Sequence, residues 1–263
     1  MSEEANNYIL FEKDGAVAKI TLNRPDVYNS FNREMALAAQ AALDTCQNDK
    51  EIRAVYLTGN GKAFCAGQDL QEIVQEGGPN ISKILTEHYN PLIIRLRALK
   101  KPVICAVNGV AAGAGANIAL ACDVVTATES ASFIQAFSKI GLIPDSGGTF
   151  FLPRLVGWHR ASALMMLGDK VSAPEAERMG MIYKVFPNEN FAQESYKIAE
   201  TLSQMPTQAL SYIKRALNYS LTSELERQLD IEDQYQSACA QTMDYKEGVQ
   251  AFLEKRKPKF TGE

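Results

Sequence analysis

The pattern of the chain predicts an α/β fold closed by a helical C-terminal extension. Short β-rich runs alternate with helical-period segments up to about residue 186. From about residue 190 the helical period runs almost without interruption. The 263 residues are 46% hydrophobic and 22% charged, which suits an ordinary packed globule. The expected division is a core of residues 1–189 followed by a helical region of residues 190–263.

The elements follow in order. YILFEKDGAVAKITLNRP (8–25) reads as a hairpin, with apolar-rich runs either side of the two-residue turn signal Asp14-Gly15. Asn32 is placed to cap a helix reaching about Cys46, whose apolar side would be Met35, Leu37, Ala38, Ala41 and Leu43. RAVYLTG (53–59) is a buried-type strand, followed by the loop GNGKAFCAGQDL. A helix from about Ser82 to Leu99 ends before Lys101-Pro102. PVICAVNG (102–109) is a near-continuous apolar strand leading into the glycine-rich GVAAGAGANIALACD. Strands are expected near 123–128, 132–136 and 181–186. In the last region Leu221, Leu225 and Leu229 recur at four-residue spacing, with Ile231 and Tyr235 beyond, a stripe that suits packing or a subunit face.

Charge and cysteine usage exclude several classes. A net charge of -4 argues against a general nucleic-acid binder, although KRKPK (255–259) forms a basic cluster, either a solvated tail or a phosphate contact. Five scattered cysteines without a CxxC pair suggest a reduced protein with neither disulfide framework nor zinc site. The acidic, polar start has no signal-peptide pattern, and no apolar run reaches the ~18–20 residues of a membrane span. A cytoplasmic protein without nucleic-acid or membrane partners is therefore expected.

Two loops, AFCAGQDL and AAGAGAN, combine small residues with glycine, so a ligand can approach their backbones. The second opens a helical run, leaving backbone N–H groups free at the positive end of the helix dipole. Two such donors from different loops would cradle one oxygen, the arrangement of an oxyanion hole. Tight packing alone would also explain the glycines. Their spacing is no dinucleotide fingerprint, no Walker A lysine follows, and no GxSxG elbow exists. Neither histidine, His88 or His159, has a partner at metal spacing, and surface or packing roles suit both. What remains is KIGLIPDSGGTFFLPR (139–154), with one acid, Asp145, between Pro144 and Ser146. It is either a helix cap or a group placed to move a proton.

The ordered set NRPDVYNSFN, FCAGQDL, KPVICAVNGVAAGAGANIALACD, GLIPDSGGTFFLPR and YKEGVQAFLEKRKPKF resembles the crotonase (enoyl-CoA hydratase/isomerase) superfamily over essentially the whole chain. Within it, the motifs are most similar to the isomerases acting on ring 1,2-epoxyphenylacetyl-CoA. The resemblance implies a spiral of ββα units, a helical C-terminal trimerisation region, and a trimer or dimer of trimers. It implies an acyl-CoA substrate, with coenzyme A carried in the substrate and no separate cofactor or metal. The implied oxyanion donors are the backbone N–H groups of Gln68 and Ala114, with Gly113 beside them. The implied CoA contacts are Arg24, Asp26, Val27, Tyr28, Ala66, Asp69 and Leu70, with Lys259 and Phe260 reaching the adenine and phosphate, in some relatives from a neighbouring subunit.

The hydratases of this family use two glutamates, and this sequence has Asn117 and Phe137 at those positions. Two-glutamate hydration is therefore not expected. Several isomerases carry an acid at the position of Asp145, which becomes the expected sole acid/base, with Asn117 expected to face the acyl group. Phe133, Phe137 and Phe150 are candidates for an aromatic acyl pocket or for core. The alternatives are a Δ3,Δ2-enoyl-CoA isomerase, then a hydratase, then a CoA-binding subunit without turnover.

Overall fold

The computed structural model describes residues 7–263; the first six residues, on which the reading of the start in part rests, lie outside the described residues. In chain order the elements are β1 (Ile9–Asp14), β2 (Val17–Leu22), α1 (Arg33–Asn48), β3 (Ala54–Gly59) and β4 (Ala63–Cys65). Next come α2 (Leu70–Val74), α3 (Ile81–Ile84), α4 (Asn90–Ala98), β5 (Val103–Val107), β6 (Val110–Ala112), α5 (Ala114–Leu120), β7 (Val124–Thr128) and β8 (Ser132–Ile134). The chain continues through α6 (Gly148–Val156), α7 (Trp158–Leu167), β9 (Lys170–Ser172), α8 (Ala173–Arg178) and β10 (Lys184–Phe186). It ends in α9 (Phe191–Ser203), α10 (Thr207–Ser220), α11 (Leu225–Cys239) and α12 (Met243–Leu253).

Two sheets share the strands. The large one has order β1-β2-β3-β5-β7-β10 and the small one β4-β6-β8-β9. β1 and β2 form the antiparallel hairpin, in register through Asp14↔Val17, and the following large-sheet pairs are parallel. The pairs β3–β4, β5–β6 and β7–β8 each give one strand to the large sheet and the next to the small one. Helices follow each pair. That is a spiral of ββα turns within an α/β fold.

The central strands β3 and β5 of the large sheet are buried on both faces. Val55, Leu57, Val103, Cys105 and Val107 face a core shared with Met35, Ala39, Leu43 and Cys46 of α1. Each large side chain buried there contributes about 1.5–3 kcal/mol of transfer free energy. The alternate residues Ala54, Tyr56, Ile104 and Ala106 face Phe191 and Ala199 of α9. Sheet packing thus extends past residue 189 into the region expected to be a separate helical part. α1 is capped by the Asn32 side chain on the Met35 N–H at 3.0 Å. Its buried face differs from expectation: Leu37 and Ala41 point outward, and Ala36, Ala42 and Cys46 point inward.

The expected helix over 82–99 is continuous but not uniform. α3 and α4 are joined by one wide π-helical turn, Leu85–Tyr89. Pro91 has no N–H to offer the Glu87 carbonyl. That carbonyl accepts instead from the Gln40 side chain at 2.7 Å. His88 is fully buried here, and His159 is exposed.

α10 is fixed to the core by charge. Lys214, 5% exposed, donates to Asp123 at 2.8 Å, and Arg97 donates to the same carboxylate at 3.0 Å. In the leucine stripe, Ile231 and Tyr235 are buried within this chain, while Leu225 and Leu229 remain exposed. Among the described residues no helix is long and apolar enough to cross a membrane.

Candidate active site

β4 and β6 are adjacent and parallel in the small sheet, pairing Cys65 with Ala111. Both therefore deliver the chain to the same edge, where Ala66–Gln68 follows one strand and Gly113–Ala114 the other. The contact is close: a Cβ on Gly67, whose φ is +94°, would lie 2.9 Å from the Ala112 carbonyl and 3.4 Å from the Ala114 nitrogen. A Cβ on Gly115 would overlap Cys65. Glycine is required at both positions for the loops to meet.

The backbone bonds around the two loops fall on groups other than the two implied donors. Phe31 N–H donates to the Gly67 carbonyl at 2.7 Å, and Asp69 N–H donates to the Phe31 carbonyl at 2.8 Å. In a trans peptide the Gln68 N–H points opposite to the Gly67 carbonyl, hence away from Phe31. Ala114 is the first residue of α5, where N–H groups have no intrahelical acceptor. Neither N–H has a backbone partner among the described residues.

Both loops line a cavity of about 480 Å³. Gln68, Gly113, Ala114, Phe137 and Asp145 all border it, as do Ala66 and Leu70. The rest of its wall is mostly apolar, from Ile73, Ile81, Ile84 and Leu85 on one side to Ile140, Leu142 and Ile143 on the other. Asp145 is the one carboxylate among the lining residues. Its carboxyl is pushed above the usual range by burial, against a weaker opposing bond from the Ser146 hydroxyl at 2.9 Å.

Asp145 is not a helix cap. The N-cap of α6 is Gly147, which has no side-chain cap, and the carboxylate accepts no bond from the helix start. The acid instead sits on a tight turn in which Gly148 N–H donates to its carbonyl at 2.8 Å. Ser146 and Gly147 follow it with φ of 51° and 76°. A non-glycine residue in that region stores strain, of about 1–3 kcal/mol, that the surroundings must hold.

One expected contact is corrected. Asn117 does not face the cavity: it is fully buried, donates to the Asp145 carbonyl at 2.8 Å and accepts from Gln135 at 2.8 Å. Gly148 packs so close to its amide that a Cβ there would overlap it. Asn117 is a positioning residue for the Asp145 turn.

The expected CoA contacts divide. Ala66 and Leu70 border the cavity, and Arg24, Asp26, Val27, Tyr28 and Asp69 do not. Arg24 and Asp69 form a partly buried ion pair at 2.9 Å that joins the NRP segment to the first loop. Ala66 N–H donates to the Tyr28 carbonyl, so the exposed Asp26–Tyr28 segment is tied to a residue of the cavity wall. Lys259 and Phe260 lie apart from this cavity within the chain: Lys259 N–H donates to Glu247, and the Phe260 carbonyl accepts from Arg53. Phe133 is core, and Phe150 is exposed, edge-to-face with Phe151 and under the Arg154 guanidinium.

The sequence reading missed Tyr89. It lines the cavity, and its hydroxyl donates to Gln68 Oε1 at 2.9 Å while Gln68 Nε2 donates to Glu72 at 2.7 Å. The Gln68 side chain is thereby locked beside its own free N–H. The available signal was Pro91 interrupting a helical run, which marks a local change of winding at Tyr89.

A lone acid and two unengaged backbone donors on the wall of one mostly apolar cavity, on an α/β spiral, define a class of site as well as a fold. The enoyl-CoA hydratase/isomerase family model matches residues 12–263. The chain is 48% identical over 258 residues to the 1,2-epoxyphenylacetyl-CoA isomerase of Escherichia coli, spanning 97% of this chain and 98% of that protein. It is 46% identical over 254 residues to a probable enoyl-CoA hydratase of Rhodobacter capsulatus, with coverage of 97% and 98%. The crystal structure of an enoyl-CoA hydratase from Bacillus anthracis matches with a TM-score of 0.92 at 35% identity, covering 97% of this chain and all of that one. The chain belongs to the enoyl-CoA hydratase/isomerase (crotonase) family.

Proposed function

We propose that the protein is an acyl-CoA isomerase that converts ring 1,2-epoxyphenylacetyl-CoA to oxepin-CoA in phenylacetate catabolism. The observation that carries this reading is the single carboxylate, Asp145, in a cavity where the two hydratase glutamate positions are Asn117, turned away, and Phe137, an apolar wall. One carboxyl group suffices for an isomerisation, because it can take a proton at one atom and return it at another. The relationship to the Escherichia coli isomerase supports the choice of substrate.

In this reading the thioester oxygen lies between the Gln68 and Ala114 N–H groups, which stabilise it as negative charge develops. Loss of one such donor typically costs about 10²–10³ in rate. Asp145 assists proton transfer, or stabilises charge, as the epoxide opens and the ring expands. Phe137 and the isoleucine wall exclude water and hold the apolar acyl group. The CoA portion runs out past Ala66 and Leu70 toward the Arg24–Asp69 pair, and no other cofactor is required. The exposed Leu225 and Leu229 belong to a trimer contact, from which Lys259 and Phe260 reach a neighbouring subunit's CoA.

A Δ3,Δ2-enoyl-CoA isomerase is the second reading, because the same two donors and lone acid serve it equally. The test assays the protein on enzymatically generated ring-epoxyphenylacetyl-CoA, 3-hexenoyl-CoA and crotonyl-CoA. The proposal expects oxepin formation to be the fastest of the three. A preference for 3-hexenoyl-CoA assigns the lipid reaction, and fast hydration of crotonyl-CoA overturns the isomerase reading.

A further inference from the structure

A second cavity, of about 410 Å³, shares no lining residue with the first. It lies between the end of α1, the start of β3, the segment before β5, and α10. Its wall carries five cationic side chains, Lys50, Arg53, Lys100, Lys101 and Arg215, against one carboxylate side chain, Glu263. The chain as a whole carries a net charge of -4, so this is a local inversion of sign. None of the five makes an ion pair among the described residues.

Two of the cations, Arg53 and Lys101, are held in place by neutral acceptors. Arg53 donates to Thr207 Oγ1 at 2.9 Å, the Phe260 carbonyl at 2.9 Å and the Met205 carbonyl at 2.7 Å. Buried Lys101 donates to the carbonyls of Cys46 and Asp49. Asp244, a carboxylate near enough to act on the Arg53 charge, accepts from the N–H groups of Thr261 and Gly262 at 2.7 and 2.8 Å. These bonds fix Arg53 and Lys101 without a direct ion pair, Asp244 and Asp49 acting on them only from a distance.

Two further features point to a ligand. Ser211 is only 8% exposed and lines the cavity, and its hydroxyl makes no hydrogen bond among the described residues. The fourteen-residue helix α10 begins at Thr207 after Pro206, which supplies no side-chain cap, and Thr207 and Gln208 line the same cavity. Its first N–H groups therefore lack intrahelical acceptors beside the cations, the arrangement that binds phosphate groups.

We propose that this cavity is an anion-binding site, distinct from the acid-bearing cavity, that takes a small phosphate-bearing ligand held by Lys100, Lys101, Arg53, Arg215, the Ser211 hydroxyl and the start of α10. The volume falls within the ordinary range of small-ligand sites, about 300–1,000 Å³. Its occupation would also dock α10 and the 261–263 segment more firmly on the core.

The experiment is calorimetric titration of the full chain with inorganic diphosphate at low ionic strength, on wild type, on Ser211→Ala, and on a double variant, Lys100→Gln with Arg215→Gln. Thermal melts of the unliganded variants check that each folds. The expected result is saturable binding of one diphosphate per chain, weakened a few-fold in Ser211→Ala and roughly tenfold or more in the double variant. The absence of saturable binding to wild type at millimolar diphosphate overturns the proposal. So does binding that is equal in all three proteins, which places the anion elsewhere. A change in oligomeric mass in the double variant without diphosphate binding to wild type also overturns it, and assigns the cavity to an acidic segment of a second copy.

Discussion

The Asn117 side-chain amide donates to the Asp145 carbonyl at 2.8 Å, from the buried face of α5 to the turn that carries the acid. With Gly148 N–H on the same oxygen, the turn is clamped from two sides. Asn117→Ala removes one clamp and leaves the Gln135 amide without its acceptor. Each unsatisfied buried group costs about 1–3 kcal/mol. We expect a lower denaturation midpoint together with a reduced kcat, measured by urea unfolding and steady-state assay. An unchanged kcat at full folding would show that the turn does not need the clamp.

Burial raises the Asp145 pKa, and this fixes two pH effects. A carboxyl whose folded pKa is raised contributes stability that is fully present below its unfolded pKa, near 4. That contribution is lost as pH rises through the higher, folded value. Asp145→Asn should therefore be more stable than wild type at neutral pH, by an increment that vanishes at low pH. If Asp145 must be ionised to accept a proton, the acid limb of the kcat/KM profile should lie above the ordinary carboxylate range. Paired melts across pH and a pH–rate profile measure the two effects separately.

Gly67→Ala tests the meeting of the two loops. The added Cβ would press the Ala112 carbonyl at 2.9 Å, at a backbone φ of +94° that costs an L-residue about 1–3 kcal/mol. The strain is relieved only by parting the loops and misplacing the Gln68 N–H. We expect kcat to fall by roughly tenfold or more, with a smaller effect on KM. A loss in stability without a change in kcat would separate packing from catalysis.

Tyr89→Phe keeps the ring and removes the bond to Gln68 Oε1. The Gln68 side chain then retains only its bonds through Nε2 to Glu72 and the Asp69 carbonyl. A loss of about 0.5–1.5 kcal/mol is expected, read as a lower melting temperature and a few-fold fall in kcat/KM. Normal kinetics would confine Tyr89 to packing.

The large sheet was legible because its strands carry their signals locally. Asp14-Gly15 marks the hairpin, and RAVYLTG and PVICAVNG are apolar enough to require burial on both faces. The small sheet was not: β4, β6 and β9 are three residues each, and their pairing depends on contacts distant in sequence. The two glycine loops and Asp145 could be picked out as residues, since glycine and a lone acid in apolar surroundings need a reason. Directions were harder. Asn117 lies one turn beyond Ala114 on the helix, and only its contacts with Gln135 and Gly148 show that it faces the Asp145 backbone. Leu37 and Ala41 likewise point outward on a helix whose smaller residues fit the close approach of the sheet.

The most direct test of the central claim is Asp145→Asn, assayed for turnover of ring-epoxyphenylacetyl-CoA and 3-hexenoyl-CoA, with binding of coenzyme A measured alongside. The account predicts retained binding and a loss in kcat of about 10²–10⁴, the usual contribution of a positioned acid/base. Turnover at the wild-type rate on the preferred substrate would contradict it and return Asp145 to the role of a turn residue.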